Sequence, residues 1–342
     1  MRRLFWGLVL LAVAAAIAFP DAAQEYARRL ADTGKPEVRT DVRLYRHQTG
    51  QLTDLSLEDY VVGVVAAEMP AGFHPEALKA QAVCARTYML KRLMAGGVAN
   101  SPHPGADVSD DPRLGQGWVS REELRERWTT WDYYRNYYKI KRAVDATEGL
   151  VLTFEEQLID PLYHSSCGGV TENSEDVWKF RVPYLRSVIC PYCTDPYPGE
   201  RRVFALEDAD EALGTNLAAV AVAKVPAAAE VPTGVGGGTP PTKASDAAVG
   251  LIEVLAYTST GRPKLLSFNG REVTATTVRD RLGLRSTNFT QTIEGGRLII
   301  ETSGHGHGVG LCQYGARGLA EAGHDFRSIL EHYYTGVRVE PF

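Results

Sequence analysis

Residues Leu57–Pro70 read LEDYVVGVVAAEMP, and residues Pro75–Met94 read PEALKAQAVCARTYMLKRLM. These two runs decide the fold class, because each carries its own start and stop signals. Ser56 precedes the first as a cap, and Glu58 and Asp59 fall in the opening turn, where a helix dipole favours acids. Pro70 ends that helix. Pro75 sits in the first turn of the second, where its missing N–H costs nothing, and Gly96-Gly97 stops it. At about 100° per residue, Glu68 lies about 20° around the axis from Leu57, with Val61 and Val64 within about 40° of the same direction. The phase puts a carboxyl on an apolar face. Burial there raises its pKa, which suits a proton donor at neutral pH. Phase alone also allows Glu68 to turn to solvent at the helix end. In the second helix, Ala77, Ala80, Ala82 and Ala85 permit close packing. Gln81, Arg86 and Thr87 stand among them, to satisfy backbone groups, to hydrogen-bond sugar hydroxyls or to orient Glu68.

Outward from these helices, VRTDVRLYRHQTGQLTDL predicts a hairpin from Glu37 to Leu52 that turns at Gln48-Thr49-Gly50. His103–Val119 reads as loop, Glu122–Tyr138 as an aromatic-rich helix, and Gly149–Phe154 and Gln157–His164 as strands. Strand-like sequence resumes at Gly250–Thr258 and Pro263–Phe268, and helices are expected over Gln313–Ala322 and Phe326–Tyr333. The class is therefore mixed α+β: helices segregated from mainly antiparallel strands, two lobes around a substrate cleft, and the strands of 250–312 as the wall facing the first two helices. Residues 37–342 form one domain, interrupted at about 213–246 by an Ala/Pro/Gly-rich insertion that reads as a flexible surface segment.

The N-terminus places that domain. Arg2 and Arg3 precede an apolar run from Leu4 to Phe19, the pattern of an export signal or short anchor (residues 1–20), with a polar stalk at 21–36. The expected location is extracytoplasmic, either membrane-anchored or secreted. A net charge of −5 gives no basis for nucleic-acid binding, nor for a strongly anionic polymer substrate.

The five cysteines add a second constellation. His164-Ser-Ser-Cys167 and Cys190-Pro-Tyr-Cys193 have the spacing of a tetrahedral zinc site built from His164, Cys167, Cys190 and Cys193. In an exported protein the same spacing also suits a disulfide between Cys167 and either Cys190 or Cys193. A third reading assigns His164 to a glycan site. Cys84 and Cys312 read as core thiols. Gly-interleaved His305 and His307 read as a tight loop whose backbone approaches a neighbour, lining the groove with Gln313 and Tyr314.

YVVGVVAAEMP with HPEALKAQAVCARTY, the block from Thr260 to Thr290 (TGRPKLLSFNG…RDRLGLRSTNFT), and GHGHGVGLCQYGARGLAEAG from Gly304 to Gly323 resemble the stage II sporulation protein D family (the SpoIID/LytB group) over roughly residues 40–340. HSxxGGxTE, from His164 to Glu172, is a further block of that family. The resemblance implies a lytic transglycosylase acting on peptidoglycan strands freed of stem peptides, with Glu68 as general acid and then base, a 1,6-anhydro product, and no cofactor needed for catalysis. With that function, the residues read here as substrate contacts are Gln81, Arg86, His164, His307, Gln313 and Tyr314. Since some relatives enhance a cell-wall amidase, it equally admits a non-catalytic glycan-binding partner of such an enzyme. Some members hold a metal in a Cys-x4-His-Cys-Gln segment; the matching SDDPRLGQ of this chain has Ser109, Leu114 and Gly115 at the ligand positions.

Overall fold

The computed structural model describes residues 40–98, 103–111, 113–196, 198–224 and 251–342. The expected signal or anchor at 1–20, the stalk at 21–36 and residues 225–246 of the insertion lie outside the described residues. Among the described residues no helix is long and apolar enough to cross a membrane.

The chain opens with a hairpin, β1 (Asp41–Arg46) and β2 (Gln51–Ser56), whose turn is made by Gly50 at φ 71°. Helix α1 (Leu57–Glu68) follows at once, and the Ser56 hydroxyl accepts from the Asp59 amide at 3.2 Å. After Pro70 comes α2 (Pro75–Met94), with Pro75 in its first turn as expected. Strand β3 (Val108–Ser109) adds parallel to β1, inside the stretch read as loop. The aromatic-rich run forms two helices, α3 (Arg121–Arg127) and α4 (Thr130–Asp145), because Thr129 supplies a second N-cap. Then come β4 (Leu150–Phe154), β5 (Gln157–Leu158), β6 (Tyr163–His164), the single turn α5 (Ser174–Val177), β7 (Glu200–Ala205), α6 (Leu206–Leu213) and α7 (Leu217–Lys224), the last lying within the expected insertion. The C-terminal part holds β8 (Ile252–Tyr257), β9 (Pro263–Phe268), β10 (Arg271–Thr274), α8 (Ala275–Leu282), β11 (Phe289–Glu294), β12 (Arg297–Thr302), β13 (Leu311–Cys312), α9 (Gln313–Glu321), α10 (Phe326–Tyr333) and β14 (Arg338–Pro341).

The strands form small sheets of two or three: β2-β1-β3, β14-β4-β5, β10-β9-β8, β11-β12-β7 and β13-β6. Pairing is antiparallel except for β1 with β3 and β6 with β13. The class is α+β. Two apolar cores divide the work. Helices α6 and α8 bury Leu206, Leu213, Val278 and Leu282 with Leu266, Phe268, Phe289, Leu298 and Ile300 of the β8–β10 and β7-β12-β11 sheets. The other core surrounds α2, which packs against α1, α4, β4, α9 and α10.

The middle of α2, Ala80–Thr87, is enclosed on all sides and so carries no polar face there, and the expected alanines Ala77, Ala80, Ala82 and Ala85 are fully buried on it. Its one buried charge is Arg86, at 0% exposure. All five guanidinium N–H groups find acceptors. Nε and one Nη donate to the two carboxylate oxygens of Glu58 at 2.8 and 2.6 Å. The rest reach the Val144 and Leu150 carbonyls at 3.3 and 3.2 Å and Thr147 Oγ1 at 3.5 Å. Arg86 thus joins α1, α2, the end of α4 and β4. It was expected to contact substrate; enclosed in this way, it reaches no solvent. Arg86→Ala strands the Glu58 carboxylate and the carbonyls, and we expect it to lower unfolding free energy by about 3–5 kcal/mol. Arg86→Lys, lacking the bidentate fork, should rescue only a minor part. Urea unfolding followed by circular dichroism measures both.

Candidate functional site

Helix α1 is buried nearly all round: Tyr60 to Ala66 are all enclosed, so the helix has no single apolar face. Glu68 owes its surroundings to position instead. It is the last residue of the helix, half-buried, where the negative end of the dipole already opposes a carboxylate. Its environment is completed by the segment Gln116–Val119. At Gly63 a Cβ would come 2.1 Å from Trp118 Nε1, so only a bare backbone admits the indole, and the Val119 amide donates to the Gly63 carbonyl at 3.3 Å. Seating Trp118 brings the Gly117 amide to Glu68 Oε1 at 2.6 Å. Burial pushes the Glu68 carboxyl above its ordinary value of 4.5, opposed by the Gly117 amide and by Tyr163. Tyr60, fully buried, and Tyr163, half-buried, are pushed up by burial and then by neighbouring charges that include Glu68. Tyr60 donates to Gln116 Oε1 at 3.3 Å, while the Gln116 Nε2 and Tyr163 Oη atoms make no hydrogen bond.

Glu68 opens onto a cavity of about 700 Å³. Its walls are the end of α1 with Met69–Gly72, the α3–α4 corner with Arg127, Trp128, Arg135, Asn136 and Lys139, and a third group of Ser165, Pro196, His305, Gln313 and Tyr314. Among the described residues lining it, Glu68 is the one carboxylate. No lining residue comes from β8–β12, so the facing wall expected from the strands of 250–312 is supplied instead by α3, α4 and the loops around 165, 196 and 305.

Of the residues assigned to substrate from sequence, Gln313 and Tyr314 line this cavity. Gln313 Nε2 donates to Gln81 Oε1 at 3.2 Å, and Tyr314 packs edge-on against Phe73 at 5.0 Å. Gln81 itself is fully buried one layer behind, where it can orient Gln313 but not touch a ligand. The histidines also differ from expectation. His164 is buried, with Nδ1 against the Val309 carbonyl at 3.1 Å, and burial followed by His307 and Arg262 holds it neutral, well below the usual histidine range. His307 packs on Trp178 and His164, accepts from the Val309 amide at 3.1 Å, and is lowered to about 4 by burial. It is His305 that faces the cavity.

The reason lies in the glycines between them. Gly304, Gly306, Gly308 and Gly310 all adopt positive φ, and the loop lies directly against residues 162–167. A Cβ at Gly310 would meet the Leu162 carbonyl at 2.1 Å, and one at Gly306 the His164 side chain at 2.7 Å. The tight-loop reading of this motif thus fits its geometry. Pairing of Ser166 with His305 in both directions, at 3.1 and 2.8 Å, turns the His305 ring outward.

Sequence reasoning missed Arg127, Trp128, Arg135, Asn136 and Lys139. Their spacing on α3–α4 resembles any solvated helix face, and only packing on α1 shows which part of it faces Glu68. The segment Ser109–Gln116 does not fit a metal. Ser109 is buried with its hydroxyl bonded to the Asp111 amide, Leu114 is half exposed, and Gly115 has no donor. All five cysteines are free thiols. Cys84 is buried against Tyr334, as a core thiol should be. Cys167, Cys190 and Cys193 gather with Cys312, and not with His164: their four sulfurs lie within 4.8 Å of one another.

Comparison with known proteins agrees with these motifs. A family model described as stage II sporulation protein matches residues 45–154. Stage II sporulation protein D of Bacillus amyloliquefaciens is 36% identical over 304 residues, covering 89% of this chain and 79% of the relative. The protein of that name from Bacillus subtilis (strain 168) is 32% identical over 300 residues, 87% and 78% of the two chains. The amidase enhancer of the same strain is 29% identical over 314 residues, 82% of this chain but 40% of the relative. With identity above 30% along most of both sporulation proteins, this chain belongs to the stage II sporulation protein D family.

Proposed function

We propose that this protein is an exported lytic transglycosylase that cleaves MurNAc–GlcNAc bonds of peptidoglycan strands lacking stem peptides. One observation carries the reading: a half-buried Glu68 of raised pKa is the one carboxylate among the described residues lining its cavity. Ordinary glycosidases need two carboxyl groups, one of them to activate water or to attack the sugar. A single acid suffices where the sugar supplies its own nucleophile. Protonated Glu68 gives its proton to the glycosidic oxygen as the C1–O bond breaks. The C6 hydroxyl oxygen then closes on C1, and its proton returns to Glu68. The carboxyl ends as it began, with no water consumed and no metal required.

The cavity walls support the substrate class. Trp128 offers an aromatic face for a sugar ring. Arg127, Lys139 and Arg135, the last also paired with Asp132 at 2.7 Å, bring cations to the site although the whole chain is acidic, and burial with the nearby Arg135 lowers the Lys139 pKa. A muramic acid without its peptide bears a free lactyl carboxylate, which such a group of cations can neutralise. Arg2, Arg3 and the apolar run behind them supply the route to the wall. The kinship with an amidase enhancer favours a second reading, a glycan-binding partner of a cell-wall amidase.

Digestion of amidase-treated strands separates the two. Wild type should release 1,6-anhydro products detectable by mass spectrometry, and Glu68→Gln should lower kcat at least about 100-fold. Absence of such products from wild type, with wild type and Glu68→Gln stimulating an amidase equally, would leave the partner reading standing alone.

Glu68 also couples stability to pH. Its folded pKa lies above 4.5, so burying the charged form costs stability that is absent below 4.5 and complete once pH exceeds the raised value. Glu68→Gln removes this cost and keeps an acceptor for Gly117. The variant should therefore melt higher than wild type by a wider margin at neutral pH than at pH about 4, as differential scanning fluorimetry can show. The pair Arg135→Gln and Lys139→Gln should raise KM for peptide-free strands about tenfold with little change in kcat; steady-state kinetics on strands with and without peptides provide the check.

A further inference from the structure

We propose that Cys167, Cys190, Cys193 and Cys312 bind one zinc ion in a closed four-thiolate site that holds the third wall of the Glu68 cavity in place. The four sulfurs lie mutually within 4.8 Å, and Cys193 Sγ stands 3.5 Å from Cys312 Sγ. Ligands at about 2.3 Å from a tetrahedral zinc are separated from one another by about 3.8 Å. A disulfide requires about 2.0 Å and joins sulfurs in pairs rather than around a common centre.

Backbone amides point at two of the sulfurs, while the Ser165 carbonyl lies 3.7 Å from Cys312 Sγ. The Gly169 amide donates to Cys167 Sγ at 3.4 Å, and the Gly315 amide to Cys312 Sγ at 3.3 Å. Tyr333 Oη lies 3.0 Å from Cys190 Sγ. Donors aimed at sulfur stabilise negative charge, as the outer contacts of a metal centre do. Four thiolates around a divalent ion leave a net −2. Arg262, 4% exposed at its side chain, donates to the Cys167 carbonyl at 2.8 Å, and its charge is shared with the buried Glu172 carboxylate 3.0 Å from its Nε. Space for the cluster is also built in: a Cβ at Gly315 would fall 2.2 Å from both Cys190 Sγ and Tyr333 Oη.

Four sulfur ligands select zinc or iron. Zinc is assigned because four protein ligands close its shell, which makes the site structural rather than catalytic. Its place in the chain shows what it does. Cys167 follows cavity residue Ser165 by two positions, Cys193 precedes Pro196 by three, and Cys312 immediately precedes Gln313 and Tyr314. One ion thereby fixes three segments, distant in sequence, that together form that wall. This role is independent of the reaction proposed for Glu68.

The test uses the full chain, purified anaerobically without chelators. Elemental analysis should give one zinc per chain, and alkylation in denaturant should find all five cysteines reduced. Cys312→Ser should retain less than about a tenth of the zinc, because loss of one thiolate opens the shell, while His164→Ala and Cys84→Ser retain it. Should Cys312→Ser fail to fold, cobalt(II) loading of the wild type decides, since a four-thiolate site gives an intense sulfur-to-cobalt charge-transfer band. Chelation should lower the melting temperature of the wild type. Iron as the bound metal, disulfides in place of zinc, or zinc lost from His164→Ala but kept by Cys312→Ser would each overturn the assignment.

Discussion

A fully buried guanidinium organises the helical half of this protein. Arg86 sits in the enclosed middle of α2, so every one of its N–H groups must be answered from inside. The answers come from both oxygens of Glu58 at the start of α1, from carbonyls at the end of α4 and the start of β4, and from Thr147. These constraints fix α1 relative to α2 and α4. The angle of α1 in turn decides where its last residue, Glu68, points and which face of α4 it meets.

From there the site is built by close approaches more than by polar side chains. Gly63 receives Trp118, Trp118 carries Gly117, and Gly117 donates to Glu68. On the opposite side, glycines at every second position of 304–310 let one backbone lie on another, which buries His164, half-buries His307 and turns His305 outward. A proton-donating carboxyl needs a partly dry setting that still opens to a ligand. Bare backbone provides it: amides reach the carboxyl without side chains filling the cavity.

Local signals were legible in the sequence, and non-local ones were not. Ser56, Pro70, Pro75 and Gly96 bound α1 and α2 because caps and prolines act within a few residues. Glu68 stood out, yet its environment arises from the end of a nearly all-buried helix and from the Gly117 amide, a donor that any residue but proline would carry. Gln313 and Tyr314 were found, whereas Arg135 and Lys139 were not, since periodicity shows that a helix has a polar face but not what that face overlooks. The cysteine spacing gave three of the four gathered sulfurs. The fourth, Cys312, lies 119 residues beyond Cys193 and comes within reach only through the parallel pairing of β13 with β6.

That pairing has a consequence for the order of assembly. The core helix α2 takes its cover from α9 and α10, near the end of the chain, through contacts such as Gln81 with Gln313 and Glu76 with the Phe326 amide, 232 and 250 residues apart. A polypeptide made from its N-terminus forms α1 and α2 early, with Glu68 already at the helix end, but without the strand and helices that enclose them. Contacts so distant in sequence close late. The cavity is therefore a property of the finished molecule alone, and a growing chain carries the acid long before it carries the pocket.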